Sequence, residues 1–431
     1  MSWEFQVTLA IIVVTAVVGL PIGHALFGAS IVYLYLGGFD LSIAGENIVQ
    51  GLYGSYVLLA IPLFILAADL MNIGSLSDRL LDFCRALVGR FRGGLGHVNI
   101  VSSLIFSGMS GSAIADAVGM GRIVINLMTK DGKYSPAYAG AITAASAIIG
   151  PIIPPSIPMV LYALVSDTSI GFLFLGGVVP GLILGILLMV MNAWMARIHD
   201  FPVEIPVPVK ELPRATLRAT PALMMPVILL VGIYGGITTP TEAAALAALY
   251  AFTVSAVFYR SVSVKQAWAT LSQSARSTAS VGILIAGALA FNYVVTVEQI
   301  PRAIQSALSG TDLSLTGFLL LVNISLLALG CLLEANTILL VIVPIFLPTA
   351  IALGIDPIHL GVVVVVNTMI GLVTPPYGLL LFVVSGITKA PIWDTIRNLL
   401  PFIAILIAGL GIITFVPSVV LWLPRLYGYG G

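Results

Sequence analysis

The sequence predicts an all-α polytopic membrane protein built from two related halves. Each half carries one transmembrane helix broken by a double proline and one helical hairpin with a polar tip. Three observations carry this expectation. Of 431 residues, 59% are hydrophobic and 8% charged, with a mean hydropathy of +1.12, whereas soluble domains carry about a quarter charged residues. Two stretches, Gly150-Pro151-Ile152-Ile153-Pro154-Pro155-Ser156 and Gly371-Leu372-Val373-Thr374-Pro375-Pro376-Tyr377, interrupt apolar segments. A single shift of 221 residues carries Gly150 to Gly371, Pro154 to Pro375 and Pro155 to Pro376, and likewise Pro136 to Pro357 and Gly140 to Gly361.

Proline removes a backbone donor and clashes with the preceding turn, and it pushes the residue before it toward extended geometry. Two in succession unwind a helix. Inside a bilayer such backbone survives only when buried in protein or lining a wet cavity. Corresponding breaks in two halves point to a binding site. Acidic and basic residues balance at 18 each, which excludes a basic nucleic-acid surface. Cys84 and Cys331 lack ligand spacing and read as buried small hydrophobes. His24, His97, His199 and His359 are scattered, which argues against a metal centre.

The chain then divides in order. Residues 1–5 lack a basic n-region, so an uncleaved first span is expected. Residues 5–38 hold two apolar segments divided near Pro21, and after a short polar loop 52–73 spans again. Arg79, Arg85, Arg90 and Arg92 mark a cytoplasmic stretch. Segment 96–125 is basic on both flanks, the far one marked by Arg122, Lys130 and Lys133, and is expected to be a re-entrant hairpin tipped by Ser107–Ser112. A first broken helix over 136–166 follows, then a span near 171–195. The polar stretch 197–219, with Arg197, Lys210, Arg214 and Arg218, separates the halves as a cytoplasmic linker. In the second half, Thr239-Pro240-Thr241-Glu242 forms a capping box, which assigns Glu242 to helix capping. Arg260, Lys265 and Arg276 mark another loop before a span at 278–297. A second hairpin is expected at 334–356, its tip at Glu334-Ala335-Asn336-Thr337, and a second broken helix at 357–387. Its flanks carry Glu334, Asp356 and His359 instead of basic residues, so the two halves are expected to be inverted relative to each other.

Each hairpin tip ends one half-helix and starts another, exposing carbonyls on one side and amides on the other. Carbonyl, Ser, Thr and Asn oxygens suit a hard cation such as sodium, and helix N-termini suit a carboxylate. Ser107, Ser110, Ser112 and the carbonyls near Gly150 form one candidate cation site, and Asn336, Thr337, Thr374 and the carbonyls near Gly371 its twin. The alternative is that small residues merely allow close helix packing. Asp116 and Glu334 are candidate coupling carboxylates, although both also sit where a helix dipole stabilises an acid. Asp69 is a weaker case of the same kind. Gly108-Met109-Ser110-Gly111 fits the G-x-S-G pattern of rhomboid-type intramembrane proteases. His359 is the one base available to it, and such a protease leaves the repeat unexplained.

Taken together, Ala60–Leu66, Arg92–Gly96, Ser110–Asp116, Ile152–Pro158, Thr239–Ala244 and Ile370–Pro376 resemble the DctM-like large membrane subunit (M) of tripartite ATP-independent periplasmic (TRAP) transporters. The resemblance implies an inverted-repeat elevator fold of the ion transporter superfamily and a non-enzymatic function: sodium-coupled import of a small organic acid across the bacterial inner membrane. It also implies a separate small four-helix membrane subunit (Q), which is expected not to be fused to this chain, and a periplasmic substrate-binding protein (P). The coupling ion is Na+, with no other cofactor. A stand-alone carboxylate carrier or channel of the same superfamily is the alternative. On this plan 1–75 are scaffold helices, 76–196 the first transport repeat and 197–219 the linker. Residues 220–300 are further scaffold, 301–398 the second transport repeat, and 399–431 a C-terminal helix. The family's cation sites carry over to Ser107, Gly108, Ser110, Gly111, Ser112, Gly150 and Pro154 in one half, and to Glu334, Asn336, Thr337, Gly371 and Thr374 in the other. Substrate contacts are expected at Ser110, Ser112, Pro155, Ser156, Asn336, Thr374, Pro375 and Pro376. No arginine neighbours either break, which leaves backbone amides to receive the carboxylate. C4-dicarboxylates, sialic acid, other sugar acids and keto acids remain open as substrates.

Overall fold

The computed structural model describes residues 2–73, 76–201, 203, 211–259, 262–309 and 314–431; Lys210 and Arg260 lie outside them. Among these residues the secondary structure is helical apart from one isolated bridge between Arg92 and Val203. Helices α1 (Trp3–Val17) and α2 (Ile22–Leu36) part at Pro21, as expected. The loop expected before residue 52 is instead largely a helix, α3 (Ser42–Gly54). Extended Ser55 then turns the chain by 75° into α4 (Ala60–Ile73). Its polar residues face outward, so no periodic apolar signal announces it.

The charged α5 (Leu76–Val88) precedes a helix–tip–helix unit. Its outgoing arm is α6 (Gly94–Ser110); its return runs through α7 (Ala113–Asp116), a π-turn at Ala117–Gly121 and α8 (Arg122–Thr129). The first broken helix is α9 (Pro136–Ala147) and α10 (Ile157–Ser166), followed by α11 (Ile170–Ile198). Asn192 on α11 ties these parts together, accepting from Tyr138 Oη at 2.8 Å and donating to the Gly93 carbonyl at 3.2 Å.

The second half holds α12 (Leu212–Tyr234), α13 (Pro240–Thr253), α14 (Val264–Val297) and α15 (Ile300–Ser309). Next come α16 (Leu315–Gly330), α17 (Ala335–Thr337), a π-turn at Ile338–Ile342 and α18 (Val343–Ala352). The second broken helix is α19 (Pro357–Gly371) and α20 (Leu379–Thr388), before α21 (Ile392–Phe415) and α22 (Ser418–Leu426). Thr239 and Glu242 form the expected capping box at the start of α13. Three boundaries differ from expectation. Arg214 and Arg218 lie within α12, not in a linker. Lys265 and Arg276 lie within α14, because Ser263 and Gln266 cap that helix ahead of its apolar stretch. Its 34 residues extend about 51 Å, well beyond the ~30 Å hydrocarbon layer, so its charged end need not enter lipid. The second helix–tip–helix unit begins with α16, so the stretch 334–356 covers only its tip and return arm. Alone, α16 is a shorter apolar helix with no polar tip of its own to mark it as an arm.

The 221-residue shift extends far beyond the prolines. It superposes α6 on α16, α9 on α19, α10 on α20 and α11 on α21 to within a few residues. The two π-turns correspond end to end, and Pro180 inside α11 maps on Pro401 inside α21. Packing between the halves is reciprocal: α2 lies on α14 as α13 lies on α4, and α10 lies on α19 as α20 lies on α9. Reciprocal exchange of contacts is the signature of a two-fold relation. Among the described residues six helices, or seven with the bent α3–α4 pair, are long and apolar enough to cross a bilayer, and shorter apolar helices supplement them. The chain is a multi-pass membrane protein.

Where α16 meets the end of α19, backbones touch. A Cβ at Gly371 would lie 2.7 Å from Gly330 Cα, the kind of approach that only small residues allow. Gly371→Val is therefore expected to lower stability by about 1–3 kcal/mol, read as a fall in Tm. Gly386→Ala on α20, where a Cβ meets nothing within 4 Å, should leave Tm unchanged.

Candidate functional site

The first tip is built by a left-handed residue followed by a cap. Gly111 adopts φ 58° and ends α6, and Ser112 Oγ accepts from Ala115 N–H at 3.3 Å to start α7. A Cβ at Gly111 would meet the Pro155 carbonyl oxygen at 2.5 Å, and one at Gly150 would stand 3.5 Å from the Ser112 carbonyl. Tip and break in the first half are thus in backbone contact. Ser156 caps α10, accepting from Met159 N–H at 3.2 Å while donating to the Pro151 carbonyl. In the second half, Thr374 donates to Ile370 O at 2.7 Å, and Asn336 Nδ2 donates to Glu334 Oε1 at 3.0 Å. Both Pro-Pro bonds, at 154–155 and 375–376, are cis.

The two halves meet at one cavity of about 520 Å³. Ser110, Gly111 and Ser112 line it from the first tip, and Glu334, Ala335 and Asn336 from the second. Pro151, Ile157 and Pro158 reach it from the first break; Met369, Leu372 and Leu379 from the second. The remaining expected residues do not line it. Ser107 is buried and donates to Leu104 O at 2.5 Å; Gly108 packs against Pro226 of α12. Gly150, Pro154, Pro155 and Ser156 are buried, Gly371 packs on Gly330, and Pro376 is exposed. Asp116 is 1% exposed, and neither carboxylate oxygen has a hydrogen-bond partner among the described residues. The 221-residue shift places Thr337 opposite it, and the Thr337 hydroxyl is likewise buried without a partner. Each residue immediately precedes its π-turn, a local geometry frequent at functional sites.

Sequence reasoning missed most of the opposite wall, reading only Asp69 there, as a weaker coupling carboxylate. Gln273, Ser277 and Ser280 of α14 and Asp69 of α4 also line the cavity, and Ser274 Oγ donates to Asp69 Oδ2 at 2.6 Å. The spacing of 273, 277 and 280 puts them on one helical face. Their common face was the available signal, although it lies in the polar stretch Thr270–Ser280, where most neighbouring residues are polar as well. No Lys, Arg or His lines the cavity among the described residues. The protease arrangement is not assembled. His359 is held at 3.0 Å by the Ile413 carbonyl, and ten helical steps separate it from Met369 at the cavity, a rise of about 15 Å.

Residues 9–419 match the family model described as "Tripartite ATP-independent periplasmic transporter, DctM component". The chain is 39% identical over 414 residues to the sialic acid TRAP transporter large permease protein SiaM of Vibrio cholerae, with 96% of each chain covered. It is 44% identical over 373 residues to the C4-dicarboxylate TRAP transporter large permease protein DctM of Pseudomonas aeruginosa, covering 86% of this chain and 87% of that one. Its fold is similar to the crystal structure of the Alcanivorax borkumensis YdaH transporter, with a TM-score of 0.62, 16% identity and 89% of each chain covered.

The tip geometry makes Gly111→Ala informative. A side chain there is strained by the left-handed backbone and collides with the Pro155 carbonyl. Uptake into proteoliposomes is expected to fall at least about tenfold, corresponding to ~1.4 kcal/mol, with membrane insertion intact. Ala113→Gly at the same tip should have a much smaller effect.

Proposed function

The chain belongs to the DctM-component family of tripartite ATP-independent periplasmic transporters, and from that premise we propose that it imports a small organic acid driven by sodium. It is a large permease component, and its relatives are transporters, not enzymes. The observation that supports sodium coupling is the charge of the cavity. Its lining carries Asp69 and Glu334 and no basic side chain among the described residues. An organic anion entering such a space meets like charge in a region of low dielectric. Cations bound first at the two tips reverse that field. Sodium coordinated by tip and break carbonyls then becomes a condition for substrate binding, which is coupling in its thermodynamic form. Asp116, buried and unpartnered behind the first tip, would ionise only with such a cation held beside it.

In this reading the helix–tip–helix units and broken helices form the moving part, in an inverted-repeat arrangement. The polar faces of α4 and α14 form the fixed wall. Elevator motion carries the tips and breaks past that wall while their mutual backbone contacts persist. Relatives named for sialic acid and for C4-dicarboxylates suggest a carboxylate substrate for this chain. The helix N-termini at Ser112 and Ser156 would present amides to it. A small four-helix membrane subunit docks on the scaffold, and a periplasmic protein delivers the substrate at the bacterial inner membrane.

Proteoliposomes containing both membrane subunits, supplied with the cognate periplasmic protein and a sodium gradient, test the proposal. Uptake is expected only with sodium and with the periplasmic protein. Ser110→Pro, or Pro154→Ala combined with Pro155→Ala, should abolish it while leaving the protein inserted. Sodium-dependent uptake at wild-type rates in those variants sinks the reading. Uptake without the periplasmic protein instead favours a stand-alone carrier.

A further inference from the structure

A second polar cleft, about 580 Å³ in volume, lies between α5 and α12, away from the transport cavity. Arg79, Asp82, Arg85, Glu211, Arg214 and Arg218 line it, together with two alanines. Four guanidiniums face two carboxylates. Among the described residues none of the four makes an ion pair; the ion pair found there joins Arg92 to Asp200. The arginines are nevertheless positioned. The Arg79 guanidinium sits 3.9 Å from the centroid of the Tyr259 ring, and the Tyr259 hydroxyl donates to the Arg218 carbonyl at 3.1 Å. One aromatic side chain therefore braces both walls.

Local energetics do not favour this arrangement. Arg214 and Arg218 are four residues apart in the opening turns of α12, where like charges at this spacing repel. Both also lie at the positive end of the helix dipole. A bound anion relieves the repulsion and the dipole conflict together. Arginine forks match phosphate oxygens in a bidentate manner. Apolar side chains flank the polar cleft: Leu217 on α12 is 75% exposed, and Phe258, next to Tyr259, is 73% exposed. A charged pocket bordered by open apolar surface suits a molecule with a phosphate head and acyl chains.

We propose that this cleft binds the phosphate headgroup of an acidic phospholipid and thereby ties α5, which leads into the first hairpin arm, to α12. The proposal is independent of sodium coupling and of substrate identity.

The test uses the full-length protein in a neutral detergent, read by native mass spectrometry and by thermal shift. Phosphatidylglycerol should bind as retained adducts and raise Tm; phosphatidylcholine should do neither. Arg214→Gln combined with Arg218→Gln should weaken phosphatidylglycerol binding about thirtyfold. Arg276→Gln on α14, outside the cleft, should leave binding unchanged. Arg214→Lys combined with Arg218→Lys keeps the topology-setting charge but loses the fork, and should weaken binding by a smaller factor. This pair keeps the test decisive if the neutral variant fails to insert. Equal binding of phosphatidylcholine, or an equal loss in Arg276→Gln, overturns the proposal. A Tm shift reproduced by millimolar inorganic phosphate alone assigns the cleft to a soluble anion and overturns the lipid assignment.

Discussion

Open backbone in a low-dielectric setting has to be satisfied by something, and the rest of this structure depends on how that is done. A helix that stops inside a bilayer leaves several amides or carbonyls without partners, each costing kilocalories if nothing meets them. Here the first tip and the first break are pressed together, with Gly111 against the Pro155 carbonyl and Gly150 against Ser112. Ser156 closes the break from within, bonding both Pro151 O and Met159 N–H. The small residues, the prolines and the capping serines are consequences of one requirement. The groups left facing the cavity are those a cation or a carboxylate can use.

Duplication gives that requirement a second solution, and the two are not identical. The first tip and break are buried apart from half-buried Ser112 and Ile153, whereas Glu334, Pro376 and Tyr377 of the second are exposed. The continuous α14 corresponds, through the 221-residue shift, to α3 and α4, which bend by 75° at Ser55. Asp116 corresponds to Thr337, so a buried carboxylate stands in one half where the other has a hydroxyl. A two-fold framework with unequal halves can hold one side shut while the other lies open. That is the geometric precondition for access from alternate sides.

Much of this was legible in the chain because backbone demands select particular residues. Gly150, Pro154, Pro155 and their copies recur since few other residues satisfy an unwound segment, and both broken helices fall where they mark them. The capping box at Thr239 and Glu242 follows from equally local geometry. Of the wall formed by Gln273, Ser277, Ser280 and Asp69 only the carboxylate was legible, because polar residues adjoin the other three on every side of α14 and nothing in the chain says which face a cavity and which pack. The arm α16 is hard to assign from sequence because it is a short apolar helix with no feature that ties it to the tip after it. Arg214 and Arg218 read as loop markers by charge; their place on α12, facing α5, depends on tertiary packing that periodicity does not encode.

The central claim is that two tips, 224 residues apart between Ser112 and Asn336, line one cation and substrate site. Single cysteines at these two positions, in a background with Cys84 and Cys331 replaced by serine, test it directly. The measurement is the rate of alkylation by a small thiol reagent, with and without sodium and the cognate organic acid. Sodium and substrate together are expected to slow labelling at both positions in parallel, with the same concentration dependence. Protection at one tip with no change at the other, or with a different sodium dependence, would contradict the shared site.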